Sequence, residues 1–360
     1  RLICLPRNAG STAKAFGAEE TRGQYLVFLD DDSYPRPGSL ERMICRFENQ
    51  PHLGAAGFTV HLPTGHLEGG ALPGVFVGCG VGLRAEAYRE SGGLDRTFFM
   101  QAEEYDLSFR LAVAGWDVEV FDDLHVEHEK TQQERRSDRT VHYDTRNNLR
   151  VLARYLPWPF AAIYRVDCVQ RYEWLAACEG EEHLRAFYRG RLAGDLHGMM
   201  ERPLYHRSRL SEPAFERFFR WSEIRMRMTE LWQSGVNRLL FADLGKNTYP
   251  FHLAARQLGL DVVAIADDRF SAVGRDYRGT PILPVAEALQ TAFDAVVVSN
   301  TASVHAADTA ALLTLKTKVP IHCWFGESES KPESPLNLSR SPSYLVEKPM
   351  LAGERLSRAN

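Results

Sequence analysis

The apolar run YLVFL, which begins at Tyr25, ends in three consecutive aspartates, Asp30, Asp31 and Asp32. Adjacent carboxylates repel one another, so the pattern calls for a cation. Mg²⁺ and Mn²⁺ take oxygen ligands, commonly one or two carboxylates completed by substrate phosphates. A D-x-D at a strand tip can therefore hold such an ion against a diphosphate. The structural alternative is that the carboxylates cap the turn or the helix after Pro35. Further along, EEYDL puts Glu103, Glu104 and Asp106 at the start of an expected helix. Acids stabilise a helix N-terminus. A carboxylate there can also take the proton of an attacking hydroxyl, a gain of about 10²–10⁴ in rate. HVEH closes an expected strand with His125 and His128, and a histidine at a strand end can complete a metal site.

These groups need a scaffold that brings distant segments together, and the chain around them alternates. RLICLP reads as a short buried strand. NAGSTAKAFGAEETRG reads as a turn feeding a helix that stops at Gly23. QYLVFLD has the β-branched and aromatic content of a buried parallel strand. A helix follows from about Gly38. AEEYDLSFRLAVAG has helical spacing, with Leu107, Leu111 and Ala114 on one face and Gly115 as C-cap. WDVEVFDDLHVEH returns as a strand. The alternation predicts an α/β sheet, whose ligands bind outside the carboxyl ends of its strands.

The chain has 360 residues, which predicts two domains. Hydrophobic residues make up 44% and charged residues 25%, as in an ordinary globular protein. The net charge of −4, without a basic stripe, argues against a nucleic-acid partner. Six scattered cysteines form no C-x-x-C pair, which excludes a recognisable zinc site or disulfide framework and suits a reducing, cytoplasmic compartment. No apolar run reaches the roughly 18–20 residues of a membrane span.

In order, NAG…RGQYLVFLDDD…P…L, GGLDRTFFMQAEEYDLSFRLAVAGW, VEH and TRNNLRVLARYLPWP resemble the family 2 glycosyltransferases of GT-A fold. The resemblance covers about residues 1–160. It is greatest to bacterial enzymes of surface-polysaccharide synthesis, including the rhamnosyl- and galactofuranosyl-transferase branch. It implies inverting transfer of a sugar from a nucleotide-diphosphate donor to a hydroxyl of a glycan or lipid-linked acceptor, with Mg²⁺ or Mn²⁺ as cofactor. Asp30 and Asp32 match the metal and donor-diphosphate positions, with Asp31 between them, and His128 matches the histidine that often joins the metal. Glu104 matches the usual base, and Glu103 and Asp106 remain candidates. Asn8 and Gly10 match an N-x-G turn of the donor site. The Arg-Asn pair that commonly follows is here Ala15-Phe16. Arg146 and Asn147 match an RN pair after the catalytic domain; a solvated helix face is the plain reading of both. The family's first strand and its second, Asp-ended strand would lie upstream of Arg1, so the expected fold lacks a first β-α-β unit of at least ~30 residues.

The implied organisation is a GT-A catalytic domain over 1–150, a helical segment over 151–232, a second, Rossmann-like α/β domain over 233–330 and a tail over 331–360. Trp158, Phe160, Tyr164, Tyr172 and Trp174 alternate with arginines, as on a helix lying at a membrane surface; internal packing of the same face is the alternative. In the second α/β unit, FADLGKNTYPF has only Gly245 where a dinucleotide fingerprint needs three glycines. Asp267 and Asp268 end its second strand, where an acid can bind ribose. A regulatory, scaffolding or degenerate nucleotide-sugar-binding module is expected in preference to an NAD site. Two further functional classes compete with the transferase: a non-catalytic nucleotide-sugar or carbohydrate-binding protein, and an NAD-linked oxidoreductase. Peripheral contact with the inner face of the cell membrane and a homo-oligomer complete the expectations.

Overall fold

The run at Tyr25 does form a strand, but at the edge of its sheet. The fold is that of a computed structural model, which describes residues 2–130 and 137–326; the expected tail lies outside the described residues. A 3-10 turn, Gly10–Ala13, leads into α1 (Lys14–Glu19), β1 (Tyr25–Leu29), β2 (Ser33–Pro35), α2 (Ser39–Asn49), β3 (Leu53–His61), β4 (Leu67–Glu68), β5 (Gly80–Arg84), α3 (Ala85–Glu90), α4 (Glu103–Val113) and β6 (Asp117–His128). The sheet order is β1-β5-β3-β6-β2, with β4 against β3. Only β3 and β6 run parallel; β1 pairs with β5, and β2 with β6, in antiparallel fashion.

Two expectations fail here for one reason. The described part of RLICLP, residues 2–6, is not a strand: Leu2 is 87% exposed and the segment has no partner strand among the described residues. β1 is not a buried parallel strand but alternates half-buried and buried residues, with Leu26 and Phe28 facing the core. A strand is buried on both faces only when layers cover both. The buried parallel strand is β3 instead, whose first six residues are all buried. Met43 and Phe47 of α2 pack on Leu53 and Phe58 below it, and Leu107 and Leu111 of α4 pack on the other face.

Five helices follow: α5 (Asp138–Tyr155), α6 (Phe160–Glu179), α7 (Glu181–Glu201), α8 (Glu212–Phe219) and α9 (Trp221–Gln233). The Ser137 hydroxyl caps α5 by accepting the Thr140 N–H at 3.2 Å. α7 lies close along α5: a Cβ at Gly190 would come 2.5 Å from the His142 carbonyl oxygen, and one at Gly194 2.8 Å from that of Arg146. The aromatic face expected at a membrane packs inward instead. Tyr164 and Tyr172 are buried, Phe160 stacks on Phe215 at 4.4 Å, and Trp174 meets Phe270; only Trp158 is exposed.

The second sheet is built from β7 (Arg238–Ala242), α10 (Tyr249–Leu258), β8 (Asp261–Ala266), β9 (Asp276–Tyr277), β10 (Thr280–Leu283), α11 (Val285–Ala288), β11 (Ala295–Val298), α12 (Ser303–Thr314) and β12 (Ile321–His322), in the order β12-β11-β7-β8-β10-β9. All its pairings are parallel except that of β9 with β10. The four residues of β11 are all buried, as the run DAVVV predicts. No described helix is long and apolar enough to cross a membrane.

Candidate active site

The three aspartates sit in the tight turn between β1 and β2, closed by the Ser33 N–H on the Asp30 carbonyl at 3.2 Å. β2 then pairs with the end of β6, Ser33 opposite His128. Local turn and sheet register together bring the first acidic motif to the histidine. His128 Nε2 lies 3.2 Å from Asp32 Oδ1. Its other nitrogen, Nδ1, lies 2.9 Å from Glu68 Oε2 of β4, and Glu68 is also paired with Lys130. A carboxylate behind a histidine fixes its tautomer and ring orientation, as around protein-bound metals.

Asp30 is held differently. Lys14 of α1 donates to Asp30 Oδ1, and also to the Gly78 carbonyl at 2.8 Å. An oxygen of Asp30, the Cys79 sulfur and a ring nitrogen of His128 all fall within 4.8 Å of one another. Burial pushes the Cys79 thiol far above its ordinary range, so it stands there as a neutral S–H. Asp31 is exposed. Asp30 thus meets Cys79 and His128, and Asp32 meets the other side of the same imidazole; carboxylate oxygens and an imidazole backed by Glu68 are donor types that suit Mg²⁺ or Mn²⁺.

The second acidic motif opens α4. Phe99, Gln101 and Ala102, just before it, all have left-handed backbone, φ 67°, 68° and 62°, which is unfavourable for residues with a side chain. What holds them is the TRNN stretch of α5. Asn147 Nδ2 lies 3.0, 2.7 and 2.8 Å from the carbonyls of Phe98, Met100 and Gln101. Arg146 donates to the carbonyls of Thr97 and Phe98 at 2.9 Å. The solvated-face reading of this pair is thus wrong: Asn147 is fully buried. The N-x-G turn serves the same loop. Gly10 accepts no side chain, because its Cβ would lie 2.1 Å from the Phe99 carbonyl oxygen, and the Asn8 side chain accepts the Gly10 N–H at 2.8 Å. Both residues build the turn.

Glu103 and Glu104 are half-buried side by side beyond this loop. Burial raises the affinity of both for a proton, and the neighbouring charge of Glu103 raises that of Glu104 further; Lys14 opposes the shift at Glu103 and Lys246 that at Glu104. One oxygen of Glu103, Oε2, is buried without a hydrogen-bond partner. Asp106 is a different case. It is fully buried, accepting from Arg110 at 2.6 and 2.9 Å, from Arg154 at 2.8 Å and from the Tyr155 hydroxyl at 2.6 Å. Its carboxylate is spent on tying α4 to α5, which corrects its candidacy as a base.

The profile of glycosyl transferase family 2 matches residues 1–66, and that of glycosyl transferase family group 2 matches residues 55–255. The chain belongs to the family 2 glycosyltransferases. No curated protein matches it. Among solved structures it is similar to the mannosyltransferase PcManGT of Pyrobaculum calidifontis, solved with GDP-Man and Mn²⁺. The identity is 15%, covering 56% of this chain and 65% of that one at a TM-score of 0.34. It is also similar to S. aureus TarS 1-349, at 10% identity, covering 53% of this chain and 73% of that one at a TM-score of 0.32. The chain thus spans just under two thirds of the mannosyltransferase's length.

In this family 2 chain the Asp30–Cys79–His128 group and the acid pair approach one another at Gly78. A Cβ at Gly78 would stand 4.0 Å from Glu103 Oε1, while the Gly78 carbonyl receives Lys14, the partner of Asp30. Four residues of the site escaped sequence reasoning. Glu68 and Cys79 carry no spacing signal, since pairing of β4 with β3, and of β5 between β1 and β3, brings them in. Lys14 had a weak signal, as a cation one position before the missing Arg-Asn pair. Lys246 comes from the turn after β7, in the second sheet. Its ammonium lies 5.1 Å over the Tyr105 ring and 5.7 Å over that of Tyr172, and donates to Asn148 at 3.3 Å. His125, by contrast, pairs with His61 at 3.1 Å.

Proposed function

We propose that the chain is an inverting, metal-dependent glycosyltransferase that moves a sugar from a nucleotide-diphosphate donor to a hydroxyl of a glycan or lipid-linked acceptor, in cell-surface polysaccharide synthesis. The observation that carries this reading is the meeting of Asp32 with His128, whose far nitrogen rests on Glu68. Asp30, Asp32 and His128 would hold Mg²⁺ or Mn²⁺. When bound, the ion offsets the charge of the diphosphate as the nucleotide departs. Lys14 keeps Asp30 in place and adds a positive charge beside the phosphates. Glu104 accepts the acceptor's hydroxyl proton, and the oxygen attacks C1 from the face opposite the diphosphate, which inverts the centre. Glu103 beside it raises the proton affinity of Glu104 by like charge, which sets the pH at which the base is free.

Contact with a membrane, where a lipid-linked acceptor resides, is supported on α7 rather than α6. Tyr188, Leu192, Leu196, Met199 and Met200 are 46–71% exposed and follow helical spacing on the face opposite its buried glycines. Exposed Arg185 and Arg189 flank them, a combination suited to an anionic surface.

The test is Mn²⁺-dependent release of nucleoside diphosphate from a panel of nucleotide sugars, with wild type and Asp32→Ala. Release by wild type alone is expected. Mn²⁺-dependent donor binding with no turnover by wild type would instead make the chain a nucleotide-sugar-binding protein.

A further inference from the structure

The second sheet carries a cavity that the transfer chemistry does not use. β7 comes first in sequence, β8 is added on one side of it and β11 on the other, so the direction of winding reverses between β7 and β11. Ligands of open α/β sheets bind at such reversals, outside the carboxyl ends of the strands. A cavity of about 270 Å³ lies there. Its walls are the residues just after β7, β8 and β11, Arg171 from α6, one face along α12, where His305, Thr309 and Leu312 fall at helical spacing, and Lys316 just beyond its end.

Two observations limit what can fill it. First, the turn that would cradle a dinucleotide's pyrophosphate is closed. A Cβ at Gly245 would lie 2.8 Å from Asn300 Cγ. Asn247 is fully buried, donates to the Phe219 carbonyl at 2.8 Å and accepts the Tyr164 hydroxyl. The Thr248 hydroxyl is taken by carbonyls at 3.1 Å. Second, the lining carries both signs of charge, with Arg269 beside Asp268 at the tip of β8. Asp243 and Asp268 stand at the strand tips, whereas Arg171, His305 and Lys316 stand on α6 and at α12. Asp267 is consumed by the amides of Leu244, Arg269 and Phe270. Asp268 spends only Oδ1, on the Val285 N–H at 2.8 Å, and the side chain is exposed. Ala266, Val285 and Leu313 give the same cavity an apolar wall.

We propose that this cavity binds a nucleoside monophosphate. Its apolar wall takes the base, Asp268 the ribose hydroxyls, and the side chains of Arg171, His305 and Lys316 the phosphate. A single phosphate suits the closed turn, which leaves no cradle for a second nucleotide.

The test is calorimetric titration of the full chain in EDTA with AMP and UMP, and with ribose 5-phosphate as a probe lacking a base. One equivalent of AMP or UMP should bind more tightly than about 1 mM. Asp268→Ala and Lys316→Glu should each weaken binding at least about tenfold, while Asp32→Ala leaves it unchanged. The proposal fails if neither nucleotide binds below about 1 mM, if Asp32→Ala rather than Asp268→Ala removes binding, or if ribose 5-phosphate binds as tightly. Because EDTA excludes the divalent ion of the transfer site, failure here and failure of the transferase reading are separate results.

Discussion

Glu103 and Glu104 stand together at one helix start, where burial raises the proton affinity of both and Glu103 raises that of Glu104 further. For a general base a raised proton affinity is useful, since the best base titrates near the working pH. Transfer requires the deprotonated form, so kcat/KM should rise with pH along a limb lying above the ordinary carboxylate range. Glu104→Gln should lower kcat by about 10²–10⁴ while the donor dissociation constant stays close to wild type; an active Gln variant would remove Glu104 from the role. Glu103 carries the opposite expectation for stability. Its proton affinity is raised in the fold, so the stability it contributes is present at low pH and is lost as pH rises through its folded value. Glu103→Gln should therefore stabilise the protein at neutral pH, by about 1 kcal/mol in chemical denaturation, and retain more transfer than Glu104→Gln. Glu68→Gln tests the backing of His128: apparent Mn²⁺ affinity should fall about 10–100-fold while the fold persists.

Two elements deliver those acids. The left-handed stretch before α4 persists because Asn147 of α5 holds three of its carbonyls. Asn147→Ala leaves buried carbonyls unpaired, at about 1–3 kcal/mol each, and frees the loop that aims Glu104. Transfer should fall by about 10²-fold, with a lower melting temperature; wild-type kcat in a stable variant would refute that positioning. The turn after β7 acts from the other side. Lys246, beside Tyr105, favours the charged form of Glu104. Lys246→Met removes that charge, and the acid limb of the kcat/KM profile should move to higher pH. An unmoved limb would mean that Lys246 serves packing alone.

At the scale of the molecule, the second α/β unit is wired to the catalytic one through the helices. Asn247 meets Tyr164 and Phe219, Arg171 meets the Leu244 carbonyl, and Asp167 takes the Tyr277 hydroxyl at 2.8 Å. The outward apolar stripe of α7 is where the proposed membrane contact would be made. Leu192→Glu with Leu196→Glu should abolish co-sedimentation with anionic liposomes while sparing turnover of a water-soluble acceptor, since the pair removes apolar area without touching the site. Unchanged co-sedimentation would assign membrane contact elsewhere.

The sequence by itself determined the local part of this design. Apolar runs, glycine stops and acids at element ends made α4, β6 and the second parallel sheet legible, because each rests on neighbours a few residues away, and they marked Asp30, Asp32, Glu104 and His128 as candidates. Only the tertiary structure decided the rest. Glu68 behind His128, Lys14 on Asp30, Lys246 near Glu104 and Asn147 under the left-handed loop are pairings across sheets and between helices, and no periodicity in the chain encodes them. The same holds for Asp106, which a helix N-terminus makes look like a base until Arg110, Arg154 and Tyr155 close around it. Burial and long-range register set the charge and freedom of a side chain, and both arise only when the chain has folded.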